Sequence, residues 1–427
     1  MRVRPYLHLL RRNRAFSRLF SAQLISFAGD WFSTVAILGL ALELTGSATV
    51  ASLLLVIQTG AFAIASPLAG VLADRLDRRR LMVWADLARV PVAASFLLVR
   101  DPNTLWVAFT ATALLSFGAA VFEPTSSASL PNLVDDEDLP AANVLIGSAW
   151  GTMLAVGAAI GGLVAATFGR DVAFIVNAAS FGGSALLVVG IHRPFSRHGH
   201  AGAPAHEMPH AGLRGIGESI AVVLRFARGN RTLAALLLSK TTFGVGTGVI
   251  VMLAVFGRDV FGAGDAGIGL LFAARGMGAL LGPFLARSVV GLTDRGLLVG
   301  IAGAFVAWAI GYSLMPLAPL LWIAALCVFF AHLGGGSQWM LSSYGLQRAS
   351  PDAIRGRVFS FDYGLVTITI ALSTLVAGQL AELMSPSVAV WCMVGLAALA
   401  AVGWLLLARP VIRRRAPEPM REGEGAG

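Results

Sequence analysis

Six ionisable side chains stand within otherwise apolar stretches of this chain: Asp30, Asp86, Arg89, Lys240, Arg275 and His332. A charge at the centre of a bilayer costs about 3 kcal/mol or more unless it meets a partner or a wet cavity, so each is a candidate for handling a substrate or an ion. Asp30, in Ala28-Gly-Asp-Trp-Phe, has a small neighbour and two aromatics beside it. A carboxylate there could carry a proton or meet a cationic substrate, or it could be permanently paired with a base from another helix. Asp86 and Arg89 are three residues apart, which places them on one helix face and lets them neutralise each other. Arg275 cannot lose its charge. It must meet either an acidic group on a substrate or a carboxylate such as Asp30 across the bundle. Lys240 lies about two turns inside its run, close enough for its stem to snorkel to the interface. His332, beside Gly334-Gly-Gly, could titrate near physiological pH or be a satisfied polar contact.

The elements that must carry these residues are membrane helices. The 427 residues are 56% hydrophobic and 13% charged, too apolar for a soluble chain of this length. Runs long enough to cross a bilayer are expected at 15–42, 48–73, 81–99, 104–122, 144–168 and 172–191. After a gap, six more follow at 233–256, 267–286, 297–315, 320–341, 358–383 and 387–407. An all-α bundle of twelve transmembrane helices in two halves is therefore expected, 1–191 and 233–408, joined by a linker at 192–232 and followed by a charged tail at 409–427. The basic segment before the first run is read as leading into a retained helix rather than a cleaved signal.

The cations fix the orientation. Of the 32 lysines and arginines, Arg100, Arg170 and Arg258 fall in the loops at one end of the runs and Arg89, Lys240 and Arg275 fall inside them. The rest gather in the terminal segments, the linker and the opposite loops, which places both termini in the cytoplasm of a multi-pass inner-membrane protein. The net charge of +9 is thus a topology signal and implies no nucleic-acid partner. The stretch from Glu123 to Asn143 holds no cation but several acids, which weigh little in this rule.

An internal repeat agrees with two halves: Ser126-Ser127 and Ser342-Ser343 follow corresponding runs, each before a proline, Pro131 or Pro351. In the linker, Leu213, Ile216, Ile220, Val223, Leu224 and Ala227 line one face of an amphipathic helix suited to the inner membrane surface. Five of the 7 histidines, His192, His198, His200, His206 and His210, fall in the linker without acids or cysteines to complete a metal cage, so no metal and no cofactor are expected. Cys327 and Cys392 lie in separate runs and imply no disulfide framework. There is no phosphate-binding loop and no paired His-Glu motif, so an enzyme is not expected and active transport would draw on an ion gradient.

The turn Gly70-Val-Leu-Ala-Asp-Arg-Leu-Asp-Arg-Arg-Arg, through Arg80, resembles the loop between the second and third helices of the major facilitator superfamily, with Asp77 where that pattern usually has glycine. Gly157-Ala-Ala-Ile-Gly-Gly resembles the fifth-helix motif of exporters in that superfamily, with Ala158 in place of proline. The stretches from Glu123 and from Pro351 look like the branch of macrolide-efflux and enterobactin-exporter-like proteins. By that resemblance Gly70 lets the second helix pack against the eleventh, and Asp74 faces the amino end of the eleventh. Arg75, Arg78 and Arg79 belong to a cytoplasmic gate, with Glu123 the expected partner of Arg78 and Arg79 and Asp362 a further acid there. An arginine within the fourth helix, carried by many proton-coupled members, is absent from 104–122, which makes Asp30 the leading coupling residue.

The expected function is secondary active export of a small amphipathic compound, such as an antibiotic, siderophore or secondary metabolite, by proton antiport and alternating access. Trp31, Phe27, Phe243 and Trp339 could wall a cavity between the halves. The expected partners are that small molecule, protons and the lipid bilayer, with the protein a monomer. The alternatives are an importer of the same fold and a non-transporting sensor or scaffold working through the histidine-rich linker.

Overall fold

The computed structural model describes residues 4–195, 213–291 and 293–413, with side chains at all of these except 4–5, 70–71, 73–75, 213–216, 219 and 352–353. A short amphipathic helix, α1 (Arg4–Arg12), precedes six helices, α2 (Arg14–Thr45), α3 (Ala48–Arg75), α4 (Arg78–Ala94), α5 (Leu105–Leu133), α6 (Leu139–Phe168) and α7 (Arg170–Val189). The linker contributes α8 (Leu213–Gly229). The second half holds α9 (Arg231–Gly246), α10 (Val249–Val255), α11 (Gly264–Val289), α12 (Asp294–Leu314), α13 (Leu321–Ala349), α14 (Asp352–Leu383) and α15 (Pro386–Ile412). Twelve of these segments, with α9 and α10 as one, are long and apolar enough to span a membrane.

Local sequence sets the ends. Asn13, Ser47, Asn230, Thr293 and Ser385 each accept a hydrogen bond from a backbone N–H of the first turn they precede. Asp77 does the same for α4, accepting from the Arg80 N–H at 2.8 Å, which gives a physical reason for an aspartate at a position where glycine is usual. Gly46 closes α2 with φ at 63°, a conformation that needs no side chain.

Two spans differ from expectation. The acidic stretch after residue 122 is largely helical, because α5 continues through Pro124 and Pro131 to Leu133. The hydroxyls of Thr125 and Ser129 bond back to the Val121 and Thr125 carbonyls beside these prolines, where the helix loses backbone donors. The seventh span is broken between α9 and α10 and ends in a π-helical turn, Phe256–Val260. Ser373 of α14 holds the break, accepting from the Gly248 N–H at 2.8 Å and donating to the Val245 carbonyl at 2.6 Å.

The halves repeat one plan. In the first, α2 packs on α6 and α7, α3 on α5, and α4 on α5 and α7; in the second, α9 packs on α14 and α15, α11 on α13, and α12 on α13 and α15. Each half also joins an inner pair of helices by a buried Gln–Ser contact, Gln23 with Ser126 and Gln338 with Ser239, both 3.3 Å. The halves meet along α6 against α11 and α3 against α14.

The apolar core shows how that meeting is limited. Residues from both halves, including Val35, Leu42, Phe96, Leu154, Val251, Phe256, Phe272 and Tyr312, form one continuous buried cluster toward the arginine-poor end. Toward the arginine-rich end the cluster gives way to two separate ones, one around Phe16, Met82, Phe122 and Val188 and another around Leu233, Leu298, Leu341 and Val358. A cleft between the halves therefore opens at the arginine-rich end.

Candidate functional site

Asp30, at mid-length of α2, is 27% exposed although α3, α5, α6, α7 and α11 surround that helix, so its exposure is to the space between the halves. Arg89 of α4 approaches it to 4.0 Å and is ion-paired with Asp86, one helical turn away. Gly118 of α5 makes room for the Arg89 stem, and the guanidinium lies over the rings of Phe181 and Phe122 at 4.2 and 5.4 Å. One cation is thus shared between two carboxylates, one buried and one facing the cleft. Glu123 lies in the same region: it follows Phe122, whose ring is 5.4 Å from the Arg89 guanidinium. The expected pairing of Glu123 with the gate arginines is corrected accordingly, because α5 runs on past Glu123 and keeps it inside the bundle. Arg78 and Arg79 instead donate to the Ala128 and Val189 carbonyls of their own half. The surroundings of Gly70 and the side chains of Asp74 and Arg75 lie outside what is described.

The second half carries its own buried charges. Lys240 is fully buried and bonded to Asp362 at 2.5 Å, with the rings of Trp339, Tyr363 and Phe359 around the ammonium at 4.9 to 5.9 Å. Two expectations are corrected here. Lys240 does not snorkel and Asp362 is not at an open gate, because the two neutralise each other inside the α9–α14 interface.

Arg275 stands at mid-length of α11, half-buried, with its guanidinium 5.8 Å from the Phe272 ring centre. Tyr312 and His332 are within its electrostatic reach, and they bond to each other, Oη to Nε2, at 2.8 Å. His332 is therefore a satisfied polar contact. Asp30 is not the counter-ion of Arg275, since its charged neighbour is Arg89. Trp31 packs against Trp150 and Phe272, joining α2 to α6 and α11, whereas Phe27 is buried and Phe243 packs against Trp308. Among the described residues no cluster of three or more His, Cys, Asp or Glu is placed to hold a metal, and His198, His200, His206 and His210 lie outside them.

Sequence reasoning missed a polar network at the arginine-poor end. Arg170 donates to both oxygens of Asp265 in the other half, at 2.7 and 3.1 Å, and pairs with Glu43 at 2.8 Å. Arg258 of the second half reaches the same Glu43 at 3.3 Å. Glu382 accepts from Ser47 and from the Thr49 N–H, again across the halves. All three cations in these loops, Arg100, Arg170 and Arg258, precede an aspartate, but the partners of Arg170 in the network, Glu43 and Asp265, are distant in sequence, so no local signal marked it.

The model of the transmembrane secretion effector family matches residues 9–421. The chain belongs to this family of major facilitator superfamily transporters. It is similar to the multidrug efflux pump Tap of Mycobacterium tuberculosis, 29% identical over 87% of this chain and 88% of that one. It is also similar to the putative bacilysin exporter BacE of Bacillus amyloliquefaciens, 25% identical over 84% and 86% of the two chains. Its fold matches the crystal structure of a bacterial homologue of the human lysosomal transporter Spinster, inward-facing and unoccupied, with a TM-score of 0.71, 15% identity, and 94% and 99% of the two chains covered.

Proposed function

We propose that this protein is a secondary active exporter of a small amphipathic compound, driven by proton antiport across the cytoplasmic membrane, with both termini in the cytoplasm. The observation that carries this reading is the division of the core, joined at the arginine-poor end and separate at the other, with Asp30 at the closed apex of the cleft. Under the positive-inside rule the cleft faces the cytoplasm, where an exporter takes up its substrate. The similarity to the efflux pump Tap and the putative exporter BacE supports the outward direction.

Asp30 and Asp86 around Arg89 set two carboxylates against one obligate cation. Full ionisation would leave excess negative charge in a low-dielectric site, so one proton or a cationic group on the substrate relieves it. Asp30, the part-exposed member, is the group that exchanges that proton. Export would then require the network of Glu43, Arg170, Asp265 and Arg258 to part while the arginine-rich end closes, with Gly70, Asp74, Arg75, Arg78 and Arg79 in the loop that seals it.

The test is retention of a panel of fluorescent amphipathic compounds in energised cells, with and without a protonophore. The intact protein should lower retention of at least one compound, and both the protonophore and Asp30→Asn should abolish the effect. Raised retention would instead mean import, and unchanged export by Asp30→Asn would remove Asp30 from the coupling path.

A further inference from the structure

Arg275 differs from the other intramembrane charges. Asp30 and Asp86 share Arg89, and Lys240 has Asp362, but among the described residues no carboxylate stands at ion-pair distance from Arg275. The group cannot shed its proton, and the polar side chains within reach do not replace a counter-ion: the Tyr312 hydroxyl and the His332 ring are engaged with each other. A permanent, half-buried cation at mid-membrane is stabilised by an anion or by a wet cavity. The aromatic surroundings say what kind of molecule could bring that anion. Phe272, over which the guanidinium lies, touches Trp31, and Trp31 touches Trp150, so a row of rings leads from Arg275 toward the residue next to Asp30. Trp31 is half-buried and Trp150 is 45% exposed, so both still offer surface to a ligand.

Resting on the exporter reading above, we propose that the transported compound bears an organic anionic group, a carboxylate or its equivalent, which Arg275 receives while an apolar ring system lies on Trp31 and Trp150. Arg275 thereby selects the acid form of an amphipathic compound over its neutral ester. The Asp30 cluster, which adjoins the row next to Trp31 and has Arg89 as its cation, remains free to exchange the proton.

The test uses the full-length protein in lipid nanodiscs. Matched pairs of naphthalene, quinoline and pyrene carboxylic acids and their methyl esters are titrated while tryptophan fluorescence is followed. At least one acid should bind tenfold or more tighter than its ester. Arg275→Gln should remove that preference and Arg275→Lys should keep part of it. Esters binding as well as acids in every pair, or an acid preference that persists in Arg275→Gln, would overturn the proposal. Displacement of the acids by millimolar chloride or phosphate would identify an inorganic counter-ion and overturn it as well. If Arg275→Gln fails to fold, the acid-to-ester ratio of the unmodified protein and of Arg275→Lys decides. Asp30→Asn should retain the acid preference in binding, so loss of proton coupling and loss of anion selection are read separately.

Discussion

Arg170, at the start of α7 in the first half, holds both oxygens of Asp265, at the start of α11 in the second. Asp265 is 6% exposed and Gly39 of α2 leaves the space it occupies, so this bond across the halves is shielded from solvent as well as bidentate. Removing the Asp265 charge should leave Arg170 with Glu43, a partner in its own half, and so take away the bidentate bond across the halves. Asp265→Asn is expected to raise the population open at this end. Spin labels at Asn103 and Pro319, exposed positions in the connections between spans of opposite halves, would report it as a longer distance component. Exchanging the charges, Arg170→Asp with Asp265→Arg, should restore the shorter distance at least in part.

Asp86 is fully buried and its partner Arg89 nearly so, which makes the pair costly to break one side at a time. Arg89→Gln should destabilise the protein by about 3–5 kcal/mol, seen as a large fall in thermal unfolding temperature in detergent. Adding Asp86→Asn removes the orphaned charge and should recover much of that stability. Export should stay lost in the double variant, because Asp30 then lacks the cation that sets its charge. Recovery of proton-coupled export along with stability would mean that Arg89 is structural only.

The contrast between what was and was not legible follows from range. Twelve apolar runs state the fold directly, since membrane helices satisfy their backbones internally and need only length and hydropathy. The types of the chemical residues were equally plain, because a charge in such a run is conspicuous. Partners were not. Asp86 with Arg89 could be read because both lie on one helix turn, whereas Lys240 with Asp362 and Arg170 with Asp265 are joined by helix packing between distant segments. The length of α5 was hidden by its prolines, which read as breaks although neighbouring hydroxyls and helices support the chain there.

Lys240 and Asp362 offer a test of the same physics in the second half. Both side chains are fully buried, and the aromatic rings around the ammonium hold α9 against α14. Asp362→Asn alone should cost about 3–5 kcal/mol, measured as thermal stability of the purified protein. Lys240→Met with Asp362→Leu replaces the pair by apolar groups and should return stability to within about 1 kcal/mol of the starting protein or above it. A double variant no more stable than Asp362→Asn would show that the charges themselves are required at this interface.

Between α6 and α11 the halves approach backbone to backbone. A Cβ on Gly162 of α6 would stand 2.6 Å from the Asp265 carbonyl and 2.7 Å from the Gly269 Cα, and one on Gly269 would stand 2.6 Å from the Ala158 carbonyl. These are main-chain atoms of packed helices and cannot move aside as a side-chain tip could. Gly162→Leu should therefore push α6 from α11 and disfavour closure at the arginine-poor end. The same Asn103 and Pro319 labels should report the longer distance, and export should fall even though every charged residue is intact. Gly147, against which an added Cβ meets nothing within 4 Å, provides the control: Gly147→Leu on the same helix should leave both the distance and export near their original values.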